Sequence, residues 1–399
     1  MSYITKDITF GDRRLVGQKS ARLQAERMLQ SERLSHAYLL TGPDGVGKTA
    51  FALAIAEIVN GVDHLTDLKG AGVSKKSSWY THPDIHVFLP LPSNLGTTEL
   101  QVRLEMLSKD PYEIVDFSLR PALTDPDSSK NRRAFYSIEY YHKEIRPKTV
   151  YKPNEGRRVV VILTGIDTMR KESANAFLKL LEEPSDNILF ILTASKTDQL
   201  LPTIISRCQH IRLSPLTDEE IKEGLVKHDG KSEEDASFLA RLSDGNYSLT
   251  RFYDVEALQQ TRKETIEFLR YSYTQDVPVL LKIIKEWNSS LNTENQIALC
   301  NTLEQLLRDI MVYRASRNEA LIINIDQIEV IKKFCDSMEN ARLEDMIDHL
   351  QQLKRLLYQN VQFKYIFTAL ALRFAHLMRG LEPVISKEEN WRHLPALFE

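Results

Sequence analysis

Eight residues early in the chain have the types and spacing of a phosphate-binding loop. Residues 42–49, GPDGVGKT, fit the pattern GxxxxGK[ST] without deviation. The glycines let the backbone curl so that successive N–H groups face one anion, and a helix starting here would add its partial positive charge. The lysine can reach terminal phosphates, and the threonine hydroxyl suits a magnesium ion. The predicted nucleotide-binding residues are therefore Gly42, Gly45, Gly47, Lys48 and Thr49; a Gly-rich turn or a vestigial loop is the alternative.

The acid that hydrolysis requires is missing from its expected place. An enzyme that hydrolyses a nucleotide on such a loop needs a carboxylate at the end of a neighbouring strand, and usually a second one to orient water. Here the apolar run 159–163 is followed by Thr164 and Gly165, with Asp167 further along. We expect Asp167 to cap a helix over residues 169–182. The sequence thus predicts a chain that binds ATP or ADP, holds Mg²⁺ weakly and hydrolyses extremely slowly.

Strand-like and helical segments alternate around this loop up to about residue 215. Apolar runs at 36–41, 159–163 and 188–193 lack polar alternation, which is typical of strands buried on both faces of a parallel sheet. Helical patterns lie between them at 50–59 and 172–182. The arrangement predicts an α/β fold with a parallel sheet and flanking helices.

The chain is long enough for two or three domains. We predict a nucleotide-binding domain over 1–215 with an insertion at about 91–151, a small helical domain over 216–253, and an all-helical domain over 254–399. The helical part opens with a capping-box pattern, Thr217 to Glu220. Apolar spacing in the last domain, as in residues 303–311 and 350–357, is explained by core packing, with an oligomerisation collar as the alternative.

Composition excludes several classes of protein. The chain has 42% hydrophobic and 27% charged residues, as in ordinary globular proteins, and its formal charge of -3 gives no overall attraction to nucleic acid. No stretch approaches the roughly 20 apolar residues that span a bilayer, and charges stand where a signal peptide would be apolar. We expect a cytoplasmic protein that does not associate with a membrane. Cys208, Cys300 and Cys335 are too far apart for a CxxC module.

Several segments together resemble the clamp-loader branch of the AAA+ proteins. The resemblance covers residues 16 to about 250 and becomes looser beyond, at 306–310 and 360–373. Its most specific part is residues 175–184, which are similar to the family's NALLKxLEEP helix. The other matching segments are 36–40 before the loop, 82–86 with its His-Pro-Asp, 153–158, and 202–208 with its Ser-Arg-Cys. The fold implied is a P-loop AAA+ core, a small helical lid and an all-α collar.

The resemblance also implies roles for single residues. In the family, the arginine of Ser-Arg-Cys reaches the nucleotide of a neighbouring subunit, which makes Arg207 a candidate arginine finger, a chemistry suited to guanidinium. Thr193 or Ser195 would take the sensor 1 position. The family's second sensor arginine has no counterpart, because Arg251 is out of phase. The four-cysteine zinc module of many relatives is also missing, since residues 61–80 contain no cysteine, so no zinc is expected.

These departures favour a non-hydrolysing subunit of a bacterial clamp loader. The resemblance implies partners of the gamma/tau and delta types, a sliding clamp, and primed DNA reached through the assembly, which has DNA-directed DNA polymerase activity. Basic residues at Lys130, Arg132 and Arg133 are better explained by a solvated loop than by direct DNA contact. The alternatives are an active ATPase subunit of the same assembly and a free-standing nucleotide-binding switch protein.

Overall fold

The computed structural model describes residues 10, 14–30, 34–62, 78–93, 97–118, 120, 133–251, 253–291, 293–324, 327–358 and 361–381. The chain separates into two compact units, Met1–Tyr253 and Asp254–Glu399. The finer boundary expected at 215 stays a prediction. Lys130, Arg132, parts of the insertion and residues 63–77 of the cysteine-free stretch lie outside the described residues.

The described part of the first unit contains a five-stranded parallel sheet. Its strands are β1 (Ala37–Thr41), β2 (Ile85–Phe88), β3 (Val159–Leu163), β4 (Ile188–Ala194) and β5 (Gln209–Arg212). Their order in the sheet is β2-β3-β4-β1-β5. All residues of β1, β3 and β4 are buried, as continuous apolar runs predict for strands covered on both faces. The three predicted strands and the parallel sheet are therefore confirmed.

Among the elements that were not expected from the sequence are strands β2 and β5 and helices α1 (Lys19–Gln30) and α3 (Thr97–Lys109). In β5, an edge strand, only Ile211 is buried, so its sequence lacks the apolar run that indicates a buried strand. Inside the insertion, α3 carries the fully buried Arg103, whose guanidinium donates hydrogen bonds to the carbonyls of Val115 (3.1 Å) and Arg120 (2.7 Å). A buried arginine satisfied by loop carbonyls breaks the apolar period that predicts a helix.

Helices cover both faces of the sheet and continue beyond it. The capping box predicted at Thr217 is confirmed: its side chain accepts from the backbone N–H of Glu220, and the Glu220 side chain accepts from the backbone N–H of Thr217. The helices of the first unit are α1 (Lys19–Gln30), α2 (Lys48–Asn60), α3 (Thr97–Lys109), α4 (Ile138–Tyr140), α5 (Arg146–Lys148), α6 (Lys171–Glu182), α7 (Pro202–Ile205), α8 (Asp218–Asp229), α9 (Glu233–Leu242) and α10 (Tyr247–Thr250).

The second unit is helical wherever it is described, apart from short connections. Its core contains the apolar residues whose spacing was noted in the sequence, including Leu303, Leu307, Leu350 and Leu353. Core packing therefore accounts for that spacing, and the collar stays a proposal. The helices are α11 (Val255–Thr274), α12 (Val277–Ser290), α13 (Thr293–Ser316), α14 (Ile328–Ser337), α15 (Leu343–Tyr358) and α16 (Phe363–Leu377).

Candidate functional site

The parallel sheet brings the phosphate loop and the residues that follow β3 and β4 to the carboxyl end of the strands, whereas Arg207 precedes β5 and lies at the other end. Strand β4 lies between β1 and β3, with Thr41 opposite Ala194 and Leu163 opposite Leu192. Because the carboxyl ends of parallel strands all lie at the same end of the sheet, the loop after β1, the turn after β3 and the end of β4 are neighbours. The phosphate loop and the position expected for the acid therefore face one region.

The loop has the backbone form that phosphate binding requires. Gly45 and Gly47 have φ of 75° and 93°, in the left-handed region that favours glycine. Helix α2 begins directly afterwards at Lys48, and the Phe51 N–H donates to the Gly47 carbonyl at 2.9 Å. The N–H groups of the first turn thus stand at the loop, where a helix dipole favours an anion.

Lys48 is turned back onto its own loop. Its Nζ donates to the carbonyls of Gly42 (2.8 Å) and Pro43 (2.5 Å), and lies 3.7 Å from Asp44 Oδ1. Burial lowers the pKa of this ammonium group, and the charges of Asp44 and Asp167 act in the opposite direction. The cation is therefore close to the loop glycines, with its donors occupied by the chain itself.

The turn after β3 has no acid at its first two positions, as the sequence indicates. Thr164 is buried, and its N–H donates to the Phe88 carbonyl at 3.1 Å. The expectation for Asp167 was wrong: helix α6 begins at Lys171 with Arg170 at its N-cap, and Asp167 lies in a short 3₁₀ helix. There its Oδ2 accepts from the Lys196 N–H at 3.0 Å.

The two candidates for sensor 1 differ in what they contact. Thr193 is buried within β4, and its hydroxyl accepts from the Gly165 N–H at 3.0 Å, which joins the ends of β3 and β4. Ser195 lies just beyond the strand and donates to Asp44 of the phosphate loop. Ser195 is therefore the candidate with a direct contact to the loop.

Two side chains that the sequence reasoning missed lie against the loop. The Asn246 amide stands over Gly45, where a methyl group added to the glycine would overlap it. The Tyr112 ring stands over Gly47, with its Cε1 2.7 Å from the place such a methyl group would take. Asn246 follows Gly245 in the sequence, but nothing in its neighbourhood along the chain indicates a contact with the loop. Tyr112 lies in the predicted insertion and carries none either.

A compact ionic cluster ties three distant segments together beside these residues. Arg14 contacts Asp110 at 3.0 Å and Asp229 at 2.8 Å. Arg251, the arginine that is out of phase with the family's sensor, contacts the same two carboxylates. Tyr247 donates its hydroxyl to Asp229 Oδ2 at 2.6 Å. The cluster is mostly buried. Arg251 therefore contacts the two carboxylates of the cluster and is not directed at the phosphate loop.

Arg207 lies on the surface beyond α7. Its Nη2 donates to Glu182 Oε1 at 2.9 Å, and its Nη1 donates to the Thr203 carbonyl at 3.0 Å. Its side chain is 34% exposed and that of Glu182 is 49% exposed. The guanidinium is thus oriented by its own chain but accessible from outside. Beside it, burial raises the pKa of the Cys208 thiol to about 12.

The donor set offers little to a metal ion. Within the described ranges, no group of three or more His, Cys, Asp or Glu side chains is placed to hold one. The phosphate loop fits a nucleotide phosphate through its backbone and Lys48, whereas Thr49 lacks an acid at Thr164 or Gly165 to share a magnesium ion. Over the same ranges, no helix is both long and apolar enough to cross a membrane.

Family models match most of the chain. The model described as DNA polymerase III, delta subunit, matches residues 17–217. The model described as DNA polymerase III, delta subunit, C terminal, matches residues 256–376. The two matches fall on the two compact units, one on each.

Individual relatives agree with these models. DNA polymerase III subunit delta' of Bacillus subtilis (strain 168) is 23% identical over 350 residues, which cover 86% of this chain and 92% of that protein. The tau/gamma subunit of Haemophilus influenzae is 27% identical over 218 residues, which cover 55% of this chain and 25% of that protein. Among solved structures, a gamma subunit-related protein of Thermotoga maritima has 14% identity and a TM-score of 0.42, covering 91% of this chain and 100% of that one.

Proposed function

The chain belongs to the DNA polymerase III delta subunit family, and we propose that, as a delta-prime-like clamp-loader subunit, it supplies Arg207 to the nucleotide of a neighbouring ATPase subunit without hydrolysing ATP itself. The single observation that carries this is a contrast between two separate places in the first unit. The turn after β3 begins with Thr164 and Gly165, which are not acids, while Arg207, at the other end of the strands, is oriented by its own chain and partly exposed. A guanidinium spreads over phosphate oxygens and neutralises the charge that develops in phosphoryl transfer.

The position of Arg207 supports a role between subunits. It follows the short helix α7, and its fork is held by one carboxylate and one carbonyl. Exposed ion pairs contribute only about 0–1 kcal/mol to stability. A phosphate can therefore replace Glu182 as the partner of the guanidinium at a small cost in free energy. The chain would act as a stator that completes the catalytic site of its partner.

The proposal extends to the assembly. Relatives named tau/gamma and delta' support membership in a clamp-loader complex, which we propose to contain gamma/tau-type and delta-type subunits and to act in the cytoplasm. The sliding clamp and primed DNA would be partners of the whole assembly, whose DNA polymerase activity this chain does not carry. AAA+ relatives also suggest nucleotide binding here, with Gly42, Gly45, Gly47, Lys48 and Thr49 as the residues and Mg²⁺ weakly held. No zinc is proposed.

Reconstitution with the ATPase and delta subunits of the same organism tests the role of Arg207. With the Arg207→Ala variant, the complex should assemble as with wild type but lose most of the partner's ATPase activity. We expect a loss of about 10³-fold or more at the site that Arg207 serves. Unchanged ATPase activity with intact assembly would refute the arginine finger, and failure to co-purify with either subunit would favour the free-standing switch.

The complete GPDGVGKT loop favours one alternative, an active ATPase of the gamma/tau type. Steady-state hydrolysis by the isolated chain decides between them. Asp167 is the acid to test, because its charge acts on Lys48. Turnover that disappears in both Lys48→Ala and Asp167→Asn would assign hydrolysis to this chain, whereas no turnover in wild type supports the stator.

A further inference from the structure

Two residues from distant segments occupy the space above the loop glycines. Asn246 stands over Gly45, and Tyr112 stands over Gly47, each so close that a single added carbon would collide with it. Ser248, two residues after Asn246, also contacts the loop, because its N–H donates to the Gly45 carbonyl at 3.2 Å. Side chains of this chain thus pack directly against the glycines of the loop that would hold a phosphate.

Tyr112 is held in place by a buried hydrogen bond and by an aromatic contact. Its hydroxyl accepts a buried hydrogen bond of 2.7 Å from the Val16 N–H, and only 2% of the residue is exposed. Its ring meets the Tyr247 ring edge to face, with 4.9 Å between centroids. Burial raises the pKa of the phenol to about 12, so it stays neutral. A buried backbone donor and an aromatic contact next to a phosphate loop are thus both taken by an internal ring.

Asn246 is held in place by its own helix. It is the N-cap of α10, where its Oδ1 accepts from the Leu249 N–H at 3.0 Å. Lys48, the loop's only cation, also has its Nζ on two loop carbonyls. Hence the groups above the loop and the cation within it all have internal partners in the described structure.

We infer that Tyr112 and Asn246 compete with nucleotide for the phosphate loop and so decide whether the site admits one. A group tethered at contact acts at an effective concentration of about millimolar or above. A nucleotide must therefore displace both side chains, and its apparent affinity is the intrinsic affinity multiplied by the fraction of molecules in which they have left. The loop would then bind the helical lid, residues 216–253, through Asn246 and Ser248, as well as an anion. This holds whatever Arg207 does in a partner.

Titration of the full chain with ADP and with ATP, each with Mg²⁺, tests the inference. Asn246→Ser removes the amide from the loop but keeps an oxygen that can cap α10. Leu249→Ala is the matched control, because Leu249 lies exposed on the same helix and its truncation leaves Asn246 and Tyr112 over the loop. Tyr112→Leu removes the ring and the acceptor for Val16 N–H. Circular dichroism and thermal unfolding report whether each variant folds.

We expect Asn246→Ser and Tyr112→Leu to bind at least about tenfold more tightly than wild type, and Leu249→Ala to gain nothing. Lys48→Ala should abolish the gain. If Tyr112→Leu fails to fold, Asn246→Ser alone decides. Equal affinity in wild type and Asn246→Ser would overturn the inference, and so would the absence of measurable binding in every folded variant.

Discussion

Glu182 accepts a hydrogen bond of 2.9 Å from Arg207, and both residues come from segments that resemble the clamp-loader family. Glu182 ends helix α6, and Arg207 follows helix α7. A negative charge therefore stands beside the guanidinium that is proposed to meet a phosphate. The pair is half exposed, so it tunes the arginine more than it stabilises the fold.

Glu182→Gln should raise the activity of the partner ATPase in the reconstituted complex. The amide oxygen can still accept from Arg207, while the charge that repels a phosphate is gone. An exposed charge is worth up to about 1 kcal/mol, so we expect an increase in kcat/KM for ATP of up to about fivefold, which shrinks at high salt. The unfolding free energy should stay within about 1 kcal/mol of wild type. A decrease in activity would show that the carboxylate is needed for orientation.

Asp84→Ala should destabilise the first unit strongly. The buried carboxylate of Asp84 accepts three backbone N–H bonds, from Asn154 (2.7 Å), Glu155 (2.8 Å) and Gly156 (2.6 Å). Removing it leaves three donors without this acceptor, and hydrogen bonds to charged groups contribute about 1.5–3 kcal/mol each. We expect a loss of at least about 3 kcal/mol in urea unfolding. The exposed control Asp198→Ala should change it by about 0.5 kcal/mol or less; equal effects would contradict this reading.

The elements that local patterns specify were predictable. Strands β1, β3 and β4 are apolar throughout, and α8 carries a complete capping box, so each is encoded within a few residues. The phosphate loop belongs to the same class, because its glycines and lysine are contiguous. Such features do not depend on which distant segment packs against them.

The contacts that close the site were not predictable for the opposite reason. Tyr112 meets Val16 across 96 residues of chain, and Ser248 meets Gly45 across 203. Nothing in the letters around Tyr112 distinguishes it from any buried tyrosine. The misassigned Asp167 is similar: an acid before a helix resembles an N-cap, but a 3₁₀ turn places the helix start beyond it. Single-sequence patterns contain no information on such long-range pairings.

Acid should weaken the fold partly through His86. Burial lowers the pKa of this histidine from 6.5 to about 4, with Lys148 and His82 adding to the effect and Asp84 opposing it. The folded-state pKa is depressed, so below pH 6.5 the unfolded chain takes up a proton that the folded chain does not. The stability present above pH 6.5 is lost as the pH falls towards 4. Urea midpoints at several pH values should show a steeper fall for wild type than for His86→Gln, and parallel curves would argue against it.

The thiols should be unreactive in the folded chain. Burial raises the pKa of Cys208 and of Cys300 from 9.0 to about 12, and burial also raises that of Cys335. A raised pKa lowers the fraction of thiolate at a given pH, and the thiolate is the nucleophile. Labelling with iodoacetamide at pH 8 should be slow until denaturant is added, when all three cysteines of the sequence react. Rapid native labelling that disappears in Cys208→Ser would contradict the burial of that thiol.

Asp229→Ala should damage the first unit more than the loss of an ordinary surface ion pair. Asp229 accepts from Arg14 (2.8 Å), Arg251 (2.8 Å) and the Tyr247 hydroxyl (2.6 Å), and its side chain is 11% exposed. Removing one carboxylate leaves two buried guanidinium groups to share Asp110, and breaking a buried pair typically costs about 3–5 kcal/mol. We expect a loss of that size in the unfolding free energy.

The exposed pair of Lys222 and Glu233, 2.7 Å apart with side chains 40% and 72% exposed, is the matched control for that prediction. Lys222→Ala should cost at most about 1 kcal/mol, because water screens both charges. Since the buried cluster adjoins Tyr112 and Tyr247, Asp229→Ala should also loosen the lid, which limited proteolysis within residues 216–253 would detect. If both variants lose the same stability and resist proteolysis equally, water already screens the cluster, and it does not hold the lid.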